Sequence, residues 1–142
     1  MSGDRVLPAK DFGWYFPAVF KDPTKYIQPQ PEMRDVLRKL REQGKFLFLA
    51  TNSHFEYMEL IMSTTLGEDW RQFFDMVCAN SRKPLFFSGT PPFWKCNPSL
   101  PDFKESLVNL AEQVEGNEQT YLEGNAKLVA HVASLKTGVK EP

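Results

Sequence analysis

Five consecutive apolar residues, Phe46-Leu47-Phe48-Leu49-Ala50, stand between two stretches with helical spacing, and this placement constrains the fold more than any other feature. Upstream, Met33, Val36, Leu37 and Leu40 recur at i, i+3, i+4 and i+7, with Arg34, Asp35, Arg38 and Lys39 between them. That spacing predicts an amphipathic helix near 31–43, with proline at its first turn and Gly44 just past its end. Downstream, Ser53 followed by Glu56 forms a capping-box pattern, so a second helix is expected over 53–66, carried by Tyr57, Leu60, Ile61 and Thr64 and ended by Gly67. A short apolar run between two helices reads as a strand buried on both faces, here 45–50. Residues Glu68–Phe74 read as a helical turn, and Asp75-Met76-Val77-Cys78-Ala79 as a second strand. Strand, helix and strand within this distance make a βαβ unit, whose strands run parallel.

The flanks are less regular. Residues 1–28 crowd Phe12, Trp14, Tyr15 and Phe16 among Pro17 and Pro23, and read as an irregular lead-in. Pro91, Pro92, Pro98 and Pro101 mark 88–120 as a proline-rich insertion. Within it the spacing of Phe103, Leu107, Leu110 and Val114 allows a helix over 102–115. The final segment, 121–142, carries a helix near 125–136 on Leu128, Val129, Val132 and Leu135, ending at Gly138. The fold class is therefore α/β: one incomplete domain over 1–142, with at least two parallel strands flanked by helices. Its βαβ core spans 31–87.

Composition excludes several function classes. Formal net charge is -1 over 142 residues, so clustered cations of the kind that hold nucleic acid or an anionic membrane surface are not expected. No apolar run approaches the ~20 residues that a bilayer crossing needs. Cys78 and Cys96 form neither a disulfide framework nor a metal cluster, and Cys78 in its apolar strand reads as a buried thiol. A cytoplasmic location is the expectation.

The chemistry is expected where the first strand ends. In an open α/β sheet, ligands bind beyond the carboxyl ends of the strands. Thr51 leaves its strand there, and the amides that follow face outward at a helix N-terminus, a seat for an anion. The second strand ends at Asn80, and Lys83 follows on the neighbouring loop, within reach because adjacent strands lie about 4.8 Å apart. Taken singly, Ser53 reads as a helix cap and Lys83 as a solvated lysine. Taken in register, strand–Thr–helix and then strand–Lys, they describe a phosphate grip. His54 reads as an exposed first-turn residue, and His131 has no ligand partner at metal spacing. Phe86 and Phe87 read as packing groups.

The stretches FLFLATNSHFEYMELIM and FFDMVCANSRKPLFF resemble, in the same order, the second and third motifs of the haloacid dehalogenase superfamily. Within it they are most similar to the 5′-nucleotidase branch, the cytosolic purine 5′-nucleotidases and 5′-nucleotidase domain-containing proteins. Weaker similarity covers Tyr15-Phe16-Pro17 with Asp22-Pro23 and Tyr26, and Tyr121–Val132, which resembles the helix just before the fourth motif. The resemblance implies a Rossmann-like core and a Mg²⁺-dependent phosphomonoesterase acting on nucleoside monophosphates or other phosphomonoesters. It implies Thr51, Asn52 and Ser53 as phosphate contacts and Lys83 as the catalytic charge stabiliser.

Two departures follow. The family's first motif, D-x-D-x-T after a strand, has no counterpart, since no Asp-x-Asp pair exists in the chain. The acidic fourth motif is also missing, so Mg²⁺ belongs to the complete family member and no metal ligand is assigned here. The expectation is a nucleotidase fragment that holds phosphate but is inactive alone. The alternative is a non-catalytic interaction or structural module of the same fold; the expected macromolecular partner is another protein or the missing remainder of the domain.

Overall fold

The computed structural model describes residues 13–108 and 117–140. In chain order the elements are α1 (Tyr15–Lys21), α2 (Pro23–Tyr26), α3 (Glu32–Glu42), β1 (Phe48–Ala50) and α4 (Phe55–Leu66). A 3₁₀ turn (Trp70–Phe73) follows, then β2 (Met76–Ala79), α5 (Leu85–Ser88), β3 (Phe93–Cys96), β4 (Lys104–Leu107), β5 (Thr120–Glu123) and α6 (Ala126–Thr137). Among the described residues the strands form one five-stranded sheet in the order β1-β2-β5-β3-β4. β1, β2 and β5 run parallel, and β3 and β4 are antiparallel additions. The α/β class holds as a mixed sheet flanked by helices.

The sheet is covered on both faces because the central strands alternate. Val77 and Ala79 of β2, with Leu122 of β5, pack with Met58, Leu66, Trp70, Phe73 and Phe74. Met76 and Cys78, with Tyr121, pack against Phe86, Phe93, Val129 and Val132. Period-2 side-chain placement thus divides one strand between two cores. α6 is set by its own signals. The Asn125 side chain accepts the Leu128 N–H at the start, and Gly138 takes a left-handed φ of 73° at the end.

Several expectations need correction. β1 is shorter than 45–50 and is not buried on both faces. It is an edge strand, and Phe48 is 44% exposed. The stripe of α3 is only partly covered: Leu37 packs on the first core while Met33 and Val36 stay exposed. The lead-in is helical from Tyr15, because Pro17 lies in the first turn of α1 and Pro23 opens α2, positions whose N–H groups a helix leaves unpaired in any case. No side-chain cap starts α4. His54 occupies the cap position and Ser53 lies one residue outside, so the capping box is not formed.

The largest correction concerns 88–120, which supplies β3 and β4 to the sheet. Where a helix was expected from 102, Lys104–Leu107 pairs with β3. A turn fixes this outcome: Asn97 N–H donates to Phe103 O at 2.8 Å, and Ser99 N–H to Asn97 Oδ1 at 2.9 Å. The cross-strand partner overrides the helical spacing of Phe103 and Leu107. The other two positions of that stripe, 110 and 114, lie outside the described residues. β5 (Thr120–Glu123) lies at the start of the final segment, where only a helix had been read.

Candidate functional site

Because β1, β2 and β5 are parallel, their carboxyl ends open on one rim, and each delivers a short loop to it. The β1 loop is Thr51-Asn52-Ser53, which leads into the N-terminus of α4. Backbone bonds carry the ladder past the strand ends: Thr51 N–H donates to Cys78 O at 3.1 Å, Ser81 N–H to Thr51 O at 2.9 Å, and Asn80 N–H to Ser53 O at 2.9 Å. The two loops are thereby stitched together before any side chain is considered.

The four residues expected at the site are brought together. Lys83 Nζ donates to the carbonyl of Ala50 at 3.1 Å. Its backbone N–H donates to Asn52 Oδ1 at 2.7 Å, and Asn52 Nδ2 donates to the Lys83 carbonyl at 3.3 Å. Thr51 Oγ1 accepts the Ser53 N–H at 3.1 Å, which leaves the hydroxyl proton available to an outside acceptor. Asn52 thus uses its side chain on the Lys83 loop, while Ser53 contributes its carbonyl to the ladder. Among the described residues, no hydrogen bond takes the backbone N–H of Asn52 or of His54. The first-turn amides of a twelve-residue helix follow directly, at the positive end of its dipole. Lys83 is exposed on this rim.

The β2 loop is wound tightly. Asn80 and Arg82 have φ of 48° and 56°, on either side of a fully buried Ser81. The β5 loop brings a group that the sequence reading missed. Glu123, with φ of 64°, is buried at 6% exposure, and its carboxylate is paired with Lys104 Nζ at 2.6 Å and Arg82 Nη1 at 3.4 Å. Gly124 beside it must be glycine, since a Cβ there would stand 2.2 Å from the Phe93 ring. The available signal was an apolar Tyr121-Leu122 pair running into Glu123-Gly124-Asn125 before a helix.

Asp75 sits at the opposite end of β2, where its carboxylate accepts the Leu47 N–H at 2.8 Å and pairs with Arg41 at 3.0 Å. Burial pushes both thiols up, Cys96 to about 11 and Cys78 further. His54 is exposed on the surface. Phe86 is core, whereas Phe87 is 64% exposed.

A magnesium ion is typically held by one or two carboxylates together with phosphate and water. Among the described residues no group of three His, Cys, Asp or Glu side chains converges, and Glu123 is already ion-paired. Among the described residues the rim thus shows no assembled ligand set for such an ion. Nor is any helix of the described residues long and apolar enough to cross a membrane. As it stands, the arrangement can hold a small anion: a hydroxyl, outward amides, a helix N-terminus and an ammonium group share one rim.

A sequence profile of the 5′ nucleotidase family matches residues 13–140. The chain is 36% identical over 134 residues to 5′-nucleotidase domain-containing protein 1 of Bos taurus and 35% identical to that of Homo sapiens, covering 92% of this chain and 28% of each relative. It is 41% identical over 76 residues to 5′-nucleotidase domain-containing protein 2 of Homo sapiens, covering 54% of this chain and 15% of that protein. The chain thus spans little more than a quarter of the length of the first two relatives.

Proposed function

Because this chain belongs to the 5′-nucleotidase family, we propose that its rim is the phosphate-holding part of a 5′-nucleotidase-type phosphohydrolase of haloacid dehalogenase type, acting on nucleoside monophosphates. The observation that carries this reading is the bond from Lys83 Nζ to Ala50 O, which holds an ammonium group at the mouth of the Thr51–Ser53 turn. A phosphoryl group seated there accepts N–H bonds from the turn and from α4, an O–H bond from Thr51, and charge neutralisation from Lys83. Lys83 is thus a charge stabiliser and supplies no electron pair to phosphorus.

Hydrolysis needs a nucleophile and a proton donor as well. The sequence holds no Asp-x-Asp pair, so we assign nucleophile, acid and magnesium ligands to parts of the longer relatives that this chain does not match. The chain alone binds the phosphomonoester and does not turn it over. The two reduced, buried cysteines suit a cytoplasmic setting.

Calorimetric titration with inorganic phosphate and with adenosine monophosphate tests the reading. One charge-assisted bond contributes about 1.5–3 kcal/mol, so Lys83→Ala is expected to weaken binding by roughly 10- to 100-fold. Equal affinity of the variant, or no binding by the native chain, sinks it. A second reading, a non-catalytic interaction module, draws on the exposed apolar groups Trp14, Met33, Val36 and Phe48. A monodisperse, partner-free monomer that binds phosphate disfavours it.

A further inference from the structure

We propose that Glu123 is a positioning residue for this rim: it fixes Arg82, and through Arg82 the backbone that presents Lys83. The inference rests on the reading of the rim as an anion grip and adds a residue from β5 to it.

The carboxylate of Glu123 is almost entirely withdrawn from solvent. A buried carboxylate is tolerated where cations and donors compensate it. Here the two cations come from different segments, Lys104 from β4 and Arg82 from the loop after β2. One side chain therefore ties the β3–β4 hairpin to the loop that carries Lys83.

That loop needs anchoring on both sides. Asn80 and Arg82 hold left-handed backbone conformations, which persist only where surrounding contacts enforce them. On the β1 side the loop is held by the Ser81 N–H to Thr51 O, the Lys83 N–H to Asn52 Oδ1 and the Lys83 Nζ to Ala50 O. On the β5 side, among the described residues, the loop is tied by Arg82 to Glu123. Loss of it leaves Arg82 to solvent and the loop anchored from β1.

Charge and positioning make opposite predictions, and this separates them. A carboxylate near an anion site repels the anion, so neutralising it tightens binding if charge is its whole contribution. A positioning role predicts that neutralising it weakens binding, because the loop that presents Lys83 is then held from β1 alone.

The experiment uses Glu123→Gln in the full 142-residue chain, with amide hydrogen exchange read by NMR and affinity for inorganic phosphate read by calorimetry. The Lys83 amide is expected to exchange at least fivefold faster, the Val77 and Cys78 amides within twofold of native, and phosphate affinity to fall at least fivefold. Unchanged Lys83 exchange overturns the proposal, as does phosphate affinity that stays equal or rises. If the native chain binds no phosphate, the grip reading fails while Lys83 exchange still decides the role of Glu123. If Val77 and Cys78 lose protection in Glu123→Gln, Arg82→Met decides: its guanidinium is largely exposed, and the same acceleration at Lys83 is expected. Native-like Lys83 exchange in Arg82→Met overturns the proposal.

Discussion

Asn52 and Lys83 hold each other by two hydrogen bonds, Lys83 N–H to Asn52 Oδ1 at 2.7 Å and Asn52 Nδ2 to the Lys83 carbonyl at 3.3 Å. The residues are far apart in sequence and meet because parallel neighbours β1 and β2 end on the same rim. An asparagine side chain that offers one acceptor and one donor mimics a backbone edge, and so it completes a miniature ladder between the two loops.

Asn52→Leu removes both bonds at an exposed position. Urea unfolding is expected to show a loss of about 1 kcal/mol, the net value of such bonds. Phosphate affinity is expected to fall about tenfold, through misplacement of Lys83. Wild-type affinity in this variant would separate the clamp from the grip.

Asp75→Asn gives the complementary result. The Asp75 carboxylate serves Leu47 and Arg41 at the far end of β2. Stability is expected to fall by about 1–2 kcal/mol while phosphate binding stays native. A loss of binding without unfolding would contradict the placement of the site.

Gly124→Ala tests the close approach on β5. The added methyl group meets the Phe93 ring at 2.2 Å, and φ is +81°. Overpacking and left-handed strain together are expected to cost about 3 kcal/mol, read as a lowered denaturant midpoint.

The acid limb is set in part by Asp69. Its hydrogen-bonded pairing with Arg34 lowers its pKa to about 2 from 3.8. A lowered carboxylate value stabilises the folded chain above the unfolded pKa, and the contribution disappears as pH falls from about 4 to about 2. The thermal-unfolding difference between the native chain and Asp69→Asn is expected to be present near neutral pH and absent at the acid end. Because the pair is exposed, that difference should be small and should shrink further in high salt.

Both thiols are buried, and both have raised pKa values. A thiol reagent such as dithiobis(nitrobenzoate) is expected to leave them unmodified in the native chain at neutral pH and to titrate both in denaturant. Rapid native labelling of Cys78 would contradict the packing of β2.

The parts of the fold that the sequence revealed are those set by local signals. α6 carries its own Asn125 cap and Gly138 stop, and the βαβ unit is bounded by Gly44, the Thr51–Ser53 turn and Gly67. The Thr51–Lys83 juxtaposition was legible because strand order alone puts both residues on one rim. What escaped depends on distant partners. β3, β4 and β5 are four residues each, and their conformation is set by pairing: Trp94 with Leu122 and Leu107, Lys104 with Cys96. Glu123 was invisible as a site residue for the same reason, since its ion-pair partners come from other segments, Arg82 from the loop after β2 and Lys104 from β4. The prolines of α1 and α2 misled because position within the first turn, not number, decides whether proline breaks a helix.

The most direct measurement is an NMR titration of the native chain with inorganic phosphate, following the amides of Asn52, Ser53 and His54 together with the side-chain nitrogen of Lys83. One anion touching both loops requires all of these signals to move along a single binding curve with one dissociation constant. Movement of the turn amides while Lys83 stays still, or of Lys83 alone, would show that the two loops do not share a ligand.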